Sequence, residues 1–142
     1  MKNIKKMSGF TLIEIMVTVV ILALIVAIAL PNYDESVKRS RRVDVRGLLM
    51  ENVHFMERVF TENNRYDMNG GAATVLPILT SPKKGTVQYN ISIKAVGVSS
   101  YTLQAIPAGG MAGDKCGTYT INQINQQANV GNSASTDECW SR

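Results

Sequence analysis

The stretch Gly9-Phe10-Thr11-Leu12-Ile13-Glu14-Ile15-Met16-Val17-Thr18-Val19-Val20-Ile21-Leu22-Ala23-Leu24-Ile25-Val26-Ala27-Ile28-Ala29-Leu30 decides how the rest of the chain is read. From Phe10 to Leu30 it holds one charged residue, Glu14, and neither glycine nor proline. As a helix this run would measure about 31 Å, against roughly 30 Å for the hydrocarbon core of a bilayer. Before it, Met1–Gly9 is short and basic, with Lys2, Lys5 and Lys6 and no acid. After it comes Pro31, which lacks a backbone donor, so the helix should stop or bend there. The bend is the expectation, because helical patterning resumes downstream.

That patterning is amphipathic. Val45, Leu48, Leu49, Val53, Met56, Val59 and Phe60 recur at i, i+3, i+4 spacing, with Asp44, Arg46, Glu51 and Glu57 largely on the other side. One helix is therefore predicted from near Phe10 to about Glu62, apolar all round at first and striped later, with Asn63-Asn64 as its stop. Residues 61–85 carry many breakers and read as a connecting loop with a short strand at Thr74–Leu79. The period then changes to two. Val87, Tyr89, Ile91, Ile93 and Ala95 alternate with polar residues, as do Tyr101, Leu103 and Ala105, with a turn at residues 97–100. Tyr119 and Ile121 mark a third strand, and the tail from Gln123 reads as irregular. The expected fold class is α+β: a long N-terminal helix packed on a small antiparallel sheet.

At 142 residues the chain is one domain by length, and its formal charge of +4 comes largely from the first nine positions. Without Lys2, Lys5 and Lys6 it is nearly neutral, so bulk charge gives no argument for a nucleic-acid partner. Lys38, Arg39, Arg41, Arg42 and Arg46 form a local basic cluster just beyond the apolar run. It could meet lipid headgroups, acids on neighbouring subunits or DNA, or be a solvated helix face. By positive-inside counting this cluster opposes the N-terminal lysines. The cysteine pair and the motif at Gly9–Glu14 argue for placing it outside the cytoplasm, in the periplasm.

Cys116 and Cys139 lack C-x-x-C spacing, and behind a membrane-targeting segment they read as one disulfide in an oxidising compartment. Closing that loop is worth roughly 3.4 kcal/mol in the chain-entropy model. Two free buried thiols are the alternative. Asp114, Asp137 and Glu138 flank the cysteines without the spacing of a calcium loop, so no metal and no cofactor is expected. His54 reads as an ordinary helix residue, and Asn90-Ile91-Ser92 as a chance sequon inside a strand. No phosphate loop or nucleophile–base pair can be assembled, so an enzyme is not expected.

The apolar run admits three readings. A cleaved secretory signal fits the basic start, with Ala27-Ile28-Ala29 as its cleavage site, but the run is longer than usual and contains a carboxylate. A plain transmembrane anchor fits the length but leaves Glu14 unexplained, at about 2.5 kcal/mol or more for a charge at membrane depth. The third reading rests on Gly9-Phe10-Thr11-Leu12-Ile13-Glu14, which resembles the type IV prepilin motif.

The resemblance implies that a prepilin peptidase cuts between Gly9 and Phe10, that Phe10 is N-methylated, and that Glu14 neutralises the N-terminal amine of a neighbouring subunit. Burying either charge alone would be prohibitive, so such a pair would set subunit register. The basic leader, Pro31, SRRVDVRGLL, YTLQAIP, GDKCGTYTIN and the terminal Cys-Trp resemble minor pilins of the PilE type, whose cysteines bound a C-terminal region. Between Pro31 and Pro77 there is no second helix proline, which major pilins often have.

The implied layout is a removed leader at 1–9, a transmembrane and fibre-core helix at 10–30, and a periplasmic head at 31–142. Implied partners are other pilin subunits, the peptidase, the membrane and the inner-membrane assembly machinery. The implied function is a structural pilus subunit for adhesion, twitching or DNA uptake, held in the inner membrane and then extracellular. Rival readings are a type II secretion pseudopilin, a DNA-binding competence pilin, and a periplasmic binding module exported by a cleaved signal.

Overall fold

A computed structural model describes residues 9–141, apart from the side chains of residues 30–32. The chain divides into two units, Met1–Val37 and Lys38–Arg142. Lys2, Lys5 and Lys6, the basic residues expected in the leader, lie outside the described residues.

Helix α1 (Leu12–Asn63) starts where the sequence places it. The Thr11 hydroxyl accepts the Glu14 N–H at 3.3 Å, and Thr11-x-x-Glu14 has capping-box spacing. Glu14 thus sits in the first turn, where the helix dipole favours an acid. Pro31 does not end the helix. The stop comes at Asn64, whose φ of 54° is left-handed and whose N–H donates to the Phe60 carbonyl at 2.7 Å.

In the first unit, the large apolar side chains from Leu12 to Ile28 are all exposed. Thr18 satisfies its hydroxyl locally, donating to the Ile15 carbonyl at 2.8 Å. Among the described residues this is the one helix long and apolar enough, by length and composition, to cross a membrane.

In the second unit the rest of α1 packs on an antiparallel sheet of five strands. They are β3 (Thr80–Ser81), β4 (Tyr89–Val96), β5 (Tyr101–Pro107), β6 (Thr118–Asn122) and β7 (Gln127–Val130), side by side in that order. Val45, Leu48, Leu49, Val53, Met56 and Val59 form the helix side of the core, as their spacing predicts. Tyr89, Ile91, Tyr101, Leu103, Ala105, Tyr119 and Ile121 form the sheet side. Burial of each large side chain contributes roughly 1.5–3 kcal/mol. The period-two pattern of β4 fails near its end because a register shift between Ile93 and Ala95 turns Ala95 and Val96 outward.

Three expectations need correction. The sheet has five strands, not three, and a separate hairpin joins β1 (Met68–Asn69) to β2 (Ala72–Ala73). Its two-residue turn takes positive φ at both Gly70 and Gly71, which only glycine accepts readily. Thr74–Leu79 is not a strand; β3 lies just after it. The reason is Asn52, fully buried on α1, whose side chain donates to the Ile78 carbonyl at 2.9 Å and accepts the Ile78 N–H at 3.3 Å. A side-chain amide has taken the place of a neighbouring strand. Finally, the tail is ordered as β7 and helix α2 (Thr136–Trp140).

Replacing Asn52 by Ala should strand both Ile78 backbone groups and cost ~3 kcal/mol of head stability. Urea unfolding of the purified chain measures it. A loss within experimental error would mean that another group takes over both bonds.

Candidate functional site

The residues singled out from sequence fall into two groups, one in each unit. Gly9, Phe10 and Glu14 all lie in the first unit and are exposed. Within the described residues no side chain covers the apolar surface behind them. The motif is therefore displayed on a bare helix.

The second group is the basic cluster, and the structure divides it. Arg42 is buried, with its Nη2 2.6 Å from Asp114 Oδ1 and its Nε 3.0 Å from Oδ2. This is the bidentate fork that makes an arginine–carboxylate pair directional. Asp114 Oδ2 also accepts the Cys116 N–H at 3.2 Å. Burial alone would push the Asp114 carboxyl up. The Arg42 guanidinium, the Cys116 N–H and the nearby Lys38 charge outweigh it and hold the group below the usual carboxylate range.

One turn further along, Arg46 donates to the Arg42 carbonyl and to the Ser141 carbonyl. Arg41 donates to Gln88 at 3.0 Å. Arg41, Arg42 and Arg46 are thus engaged within the head, and of the three Arg42 alone is buried. Lys38 is half-buried and Arg39 exposed.

Those arginines hold the two ends of one segment. Cys116 and Cys139 form a disulfide, a sequence separation of 23, as expected. Arg42 grips Asp114, two residues before Cys116, and Arg46 grips Ser141, two residues after Cys139. Between those anchors the segment is tied at several points. Asn129 donates to the Cys116 carbonyl at 2.8 Å, and Trp140 Nε1 reaches the Ala128 carbonyl at 3.4 Å. Burial pushes the Tyr119 phenol up to about 12, so it stays a neutral donor to the Cys139 carbonyl at 3.3 Å. A Cβ at Gly117, whose φ is +58°, would collide with the Val130 carbonyl oxygen. Lys115 and Glu138 form an exposed pair at 2.6 Å, which adds little.

Sequence reasoning missed two partners. Asp114 looked like a stray acid beside a cysteine. Glu57 was placed on the outer helix face, yet its carboxylate accepts from Tyr66 at 3.2 Å and Tyr101 at 3.1 Å. Burial first, and then Glu57, raises both phenols above their ordinary value. The Tyr66 and Tyr101 rings meet edge to face at 4.7 Å, which a linear pattern does not show. One signal was available for α2: Ser135 and Glu138 have capping-box spacing, and the Ser135 hydroxyl accepts the Glu138 N–H. Among the described residues no three His, Cys, Asp or Glu side chains converge on a metal position.

One unit is a bare apolar helix and the other a disulfide-closed sheet backed by a helix, the arrangement that the prepilin-motif resemblance implies. Comparison with known proteins agrees. Residues 31–120 match the family described as type IV minor pilin ComP, DNA uptake sequence receptor, and residues 4–30 match the prokaryotic N-terminal methylation motif. The type IV wide pilus major component PilA4 of Thermus thermophilus is 33% identical over 110 residues, covering 78% of this chain and 79% of that one. The type IV major alpha-pilin of Moraxella bovis is 27% identical over 130 residues, covering 92% and 72% respectively. The solved structure of the non-core minor pilin PilV of Neisseria meningitidis has a TM-score of 0.52 and 22% identity. It covers 71% of this chain and 94% of that one, a likeness of fold.

The chain belongs to the type IV pilin family. It is a structural pilus subunit and not an enzyme.

Arg42→Ala should lower head stability by about 3–5 kcal/mol at neutral pH, because it leaves the Asp114 charge buried and alone. The folded carboxyl titrates below its unfolded value of roughly 3.9, so the pair stabilises fully above that pH and less as pH falls through the folded value. The gap between wild type and variant should therefore narrow below about pH 4. Chemical unfolding at several pH values measures both effects, and a gap that widens in acid contradicts the assignment.

Proposed function

We propose that the subunit is made as a membrane-held precursor and cut between Gly9 and Phe10 by a prepilin peptidase. Phe10 becomes the N-methylated start, and inner-membrane assembly machinery moves the subunit into a helical fibre. Before assembly it is a single-pass inner-membrane protein with its head in the periplasm. The observation that carries this reading is Glu14, the lone acid in the first turn of an exposed apolar helix, just after the cut point. A cation created at Phe10 and a carboxylate at Glu14 would each be unaffordable alone inside an apolar bundle, and compatible when paired between neighbours. The methylation-motif match across residues 4–30 supports it. We read the chain as a minor subunit, which the family match over residues 31–120 supports.

Glu14→Ala should be cut normally yet enter sheared fibres several-fold less than wild type, with Gly9→Val as the uncut control. Quantitative mass spectrometry of membrane and fibre fractions reports cleavage, incorporation and stoichiometry together. Equal incorporation of Glu14→Ala would remove the pairing role.

A second reading, DNA capture during uptake, is favoured by the same family match, whose description names a DNA uptake sequence receptor. It predicts salt-sensitive DNA binding by the subunit. Neutralising Arg39 and Arg41 should weaken that binding and flatten its salt dependence. Arg42 is unsuitable as a probe because its loss disturbs the fold. Binding unaltered by the double substitution would end this reading.

A further inference from the structure

Asn69-Gly70 is the one Asn-Gly step in the sequence. A glycine after asparagine leaves its own amide nitrogen unshielded by a Cβ, so that nitrogen can reach the asparagine side chain. The fold puts this step where little opposes such an approach. Asn69 ends β1, Gly70 opens the hairpin turn, and both are exposed. The hairpin pairs Met68 with Ala73 and Asn69 with Ala72, so the Gly70 N–H lies outside the ladder. It donates to Asn63 Oδ1 at 3.3 Å, while Asn63 Nδ2 donates to Asn69 Oδ1 at 3.5 Å. Both contacts are at the long limit for a hydrogen bond, so Asn63 restrains the two groups without locking them. A Cβ at Gly70 would meet nothing within 4 Å.

Other asparagines are held differently. Asn52 is buried and bonded to both Ile78 backbone groups. Asn132 is exposed, but the next N–H, that of Ser133, donates to the Lys115 carbonyl at 2.8 Å. Nor does backbone geometry call for an amide at position 69. Asn64 and Asn125 take the positive φ that favours asparagine, whereas Asn69 lies in a strand.

We propose that Asn69 is a site of spontaneous deamidation, at which the folded chain modifies itself with water as co-reactant. The Gly70 nitrogen gives its proton to hydroxide and bonds to Asn69 Cγ. The Cγ–Nδ2 bond breaks, ammonia leaves with a proton returned by water, and a succinimide ring remains. Water then opens the ring at either carbonyl. One opening gives aspartate; the other gives isoaspartate, with the main chain rerouted through the former side chain. Net, water is consumed, ammonia is released, and nothing is oxidised or reduced. Either product sets a carboxylate next to Asn63, the last residue of α1, where the helix dipole disfavours an acid. Isoaspartate also lengthens the β1 backbone and disturbs the pairing of position 69 with Ala72. The change is irreversible, so the hairpin records the age of each molecule.

The test incubates the purified full-length chain in detergent for days, at neutral and at mildly alkaline pH. Digestion in heavy-oxygen water then tags any conversion that occurs during preparation. Peptide mass spectrometry should show the Asn69 peptide splitting into aspartate and isoaspartate forms, faster at the higher pH. Conversion should be several-fold faster than at Asn132, and Asn63→Ala should speed it several-fold again. Asn69→Gln should abolish it, because the longer side chain needs a larger ring. An Asn69 peptide that stays intact, or converts no faster than the Asn132 peptide, would overturn the proposal. A wild-type rate in Asn63→Ala would overturn the restraint assigned to Asn63.

Discussion

The head depends on a charge pair that no surface pattern announces: Asp114 held in the fork of Arg42, both removed from water. Neither group tolerates burial alone, so each fixes where the other must be. Arg42 belongs to a helix positioned by its apolar stripe. Asp114 belongs to the connection between β5 and β6, two residues before a disulfide cysteine. The pair therefore transmits the helix position to the covalent loop, and Arg46 does the same at the far end through the Ser141 carbonyl. The disulfide limits how far the segment can wander when unfolded. The arginines decide where it sits when folded.

The first unit follows an opposite logic. Its apolar residues are covered by nothing among the described residues, so what the head achieves within one chain this helix must achieve with others. In lipid the uncovered surface is no penalty, because the solvent is as apolar as the side chains. Moving it into a bundle of similar helices exchanges one apolar environment for another. Burial then supplies little preference for a particular product. Under the proposed function, specificity falls to the few features that are not simply apolar: the charge at Glu14 and the small residues that set how closely helices approach.

The first unit meets general physical demands of length, apolarity and one charge, whereas the head depends on its core stripe and its C-terminal closure. Here two of the five basic residues beyond the apolar run, Arg42 and Arg46, are absorbed into that closure.

The anchor, the helix stripe, the start and end of α1 and the strands β4 to β6 were legible from residue order, because each rests on local periodicity or capping. Val45 to Val59 recur at helical spacing, Tyr89 to Ile91 alternate, and Thr11 and Asn64 mark helix ends by their own chemistry. The disulfide was legible too, because two cysteines allow one pairing. Only the tertiary structure decided that Thr74–Leu79 is no strand, that Gln127–Val130 is one, and that Arg42 and Glu57 turn inward. Those outcomes depend on partners distant in sequence: Asn52 for Ile78, Asp114 for Arg42, and Tyr66 and Tyr101 for Glu57. A polar side chain carries no sign of whether it will meet water or a buried counterpart until the chain has folded around it.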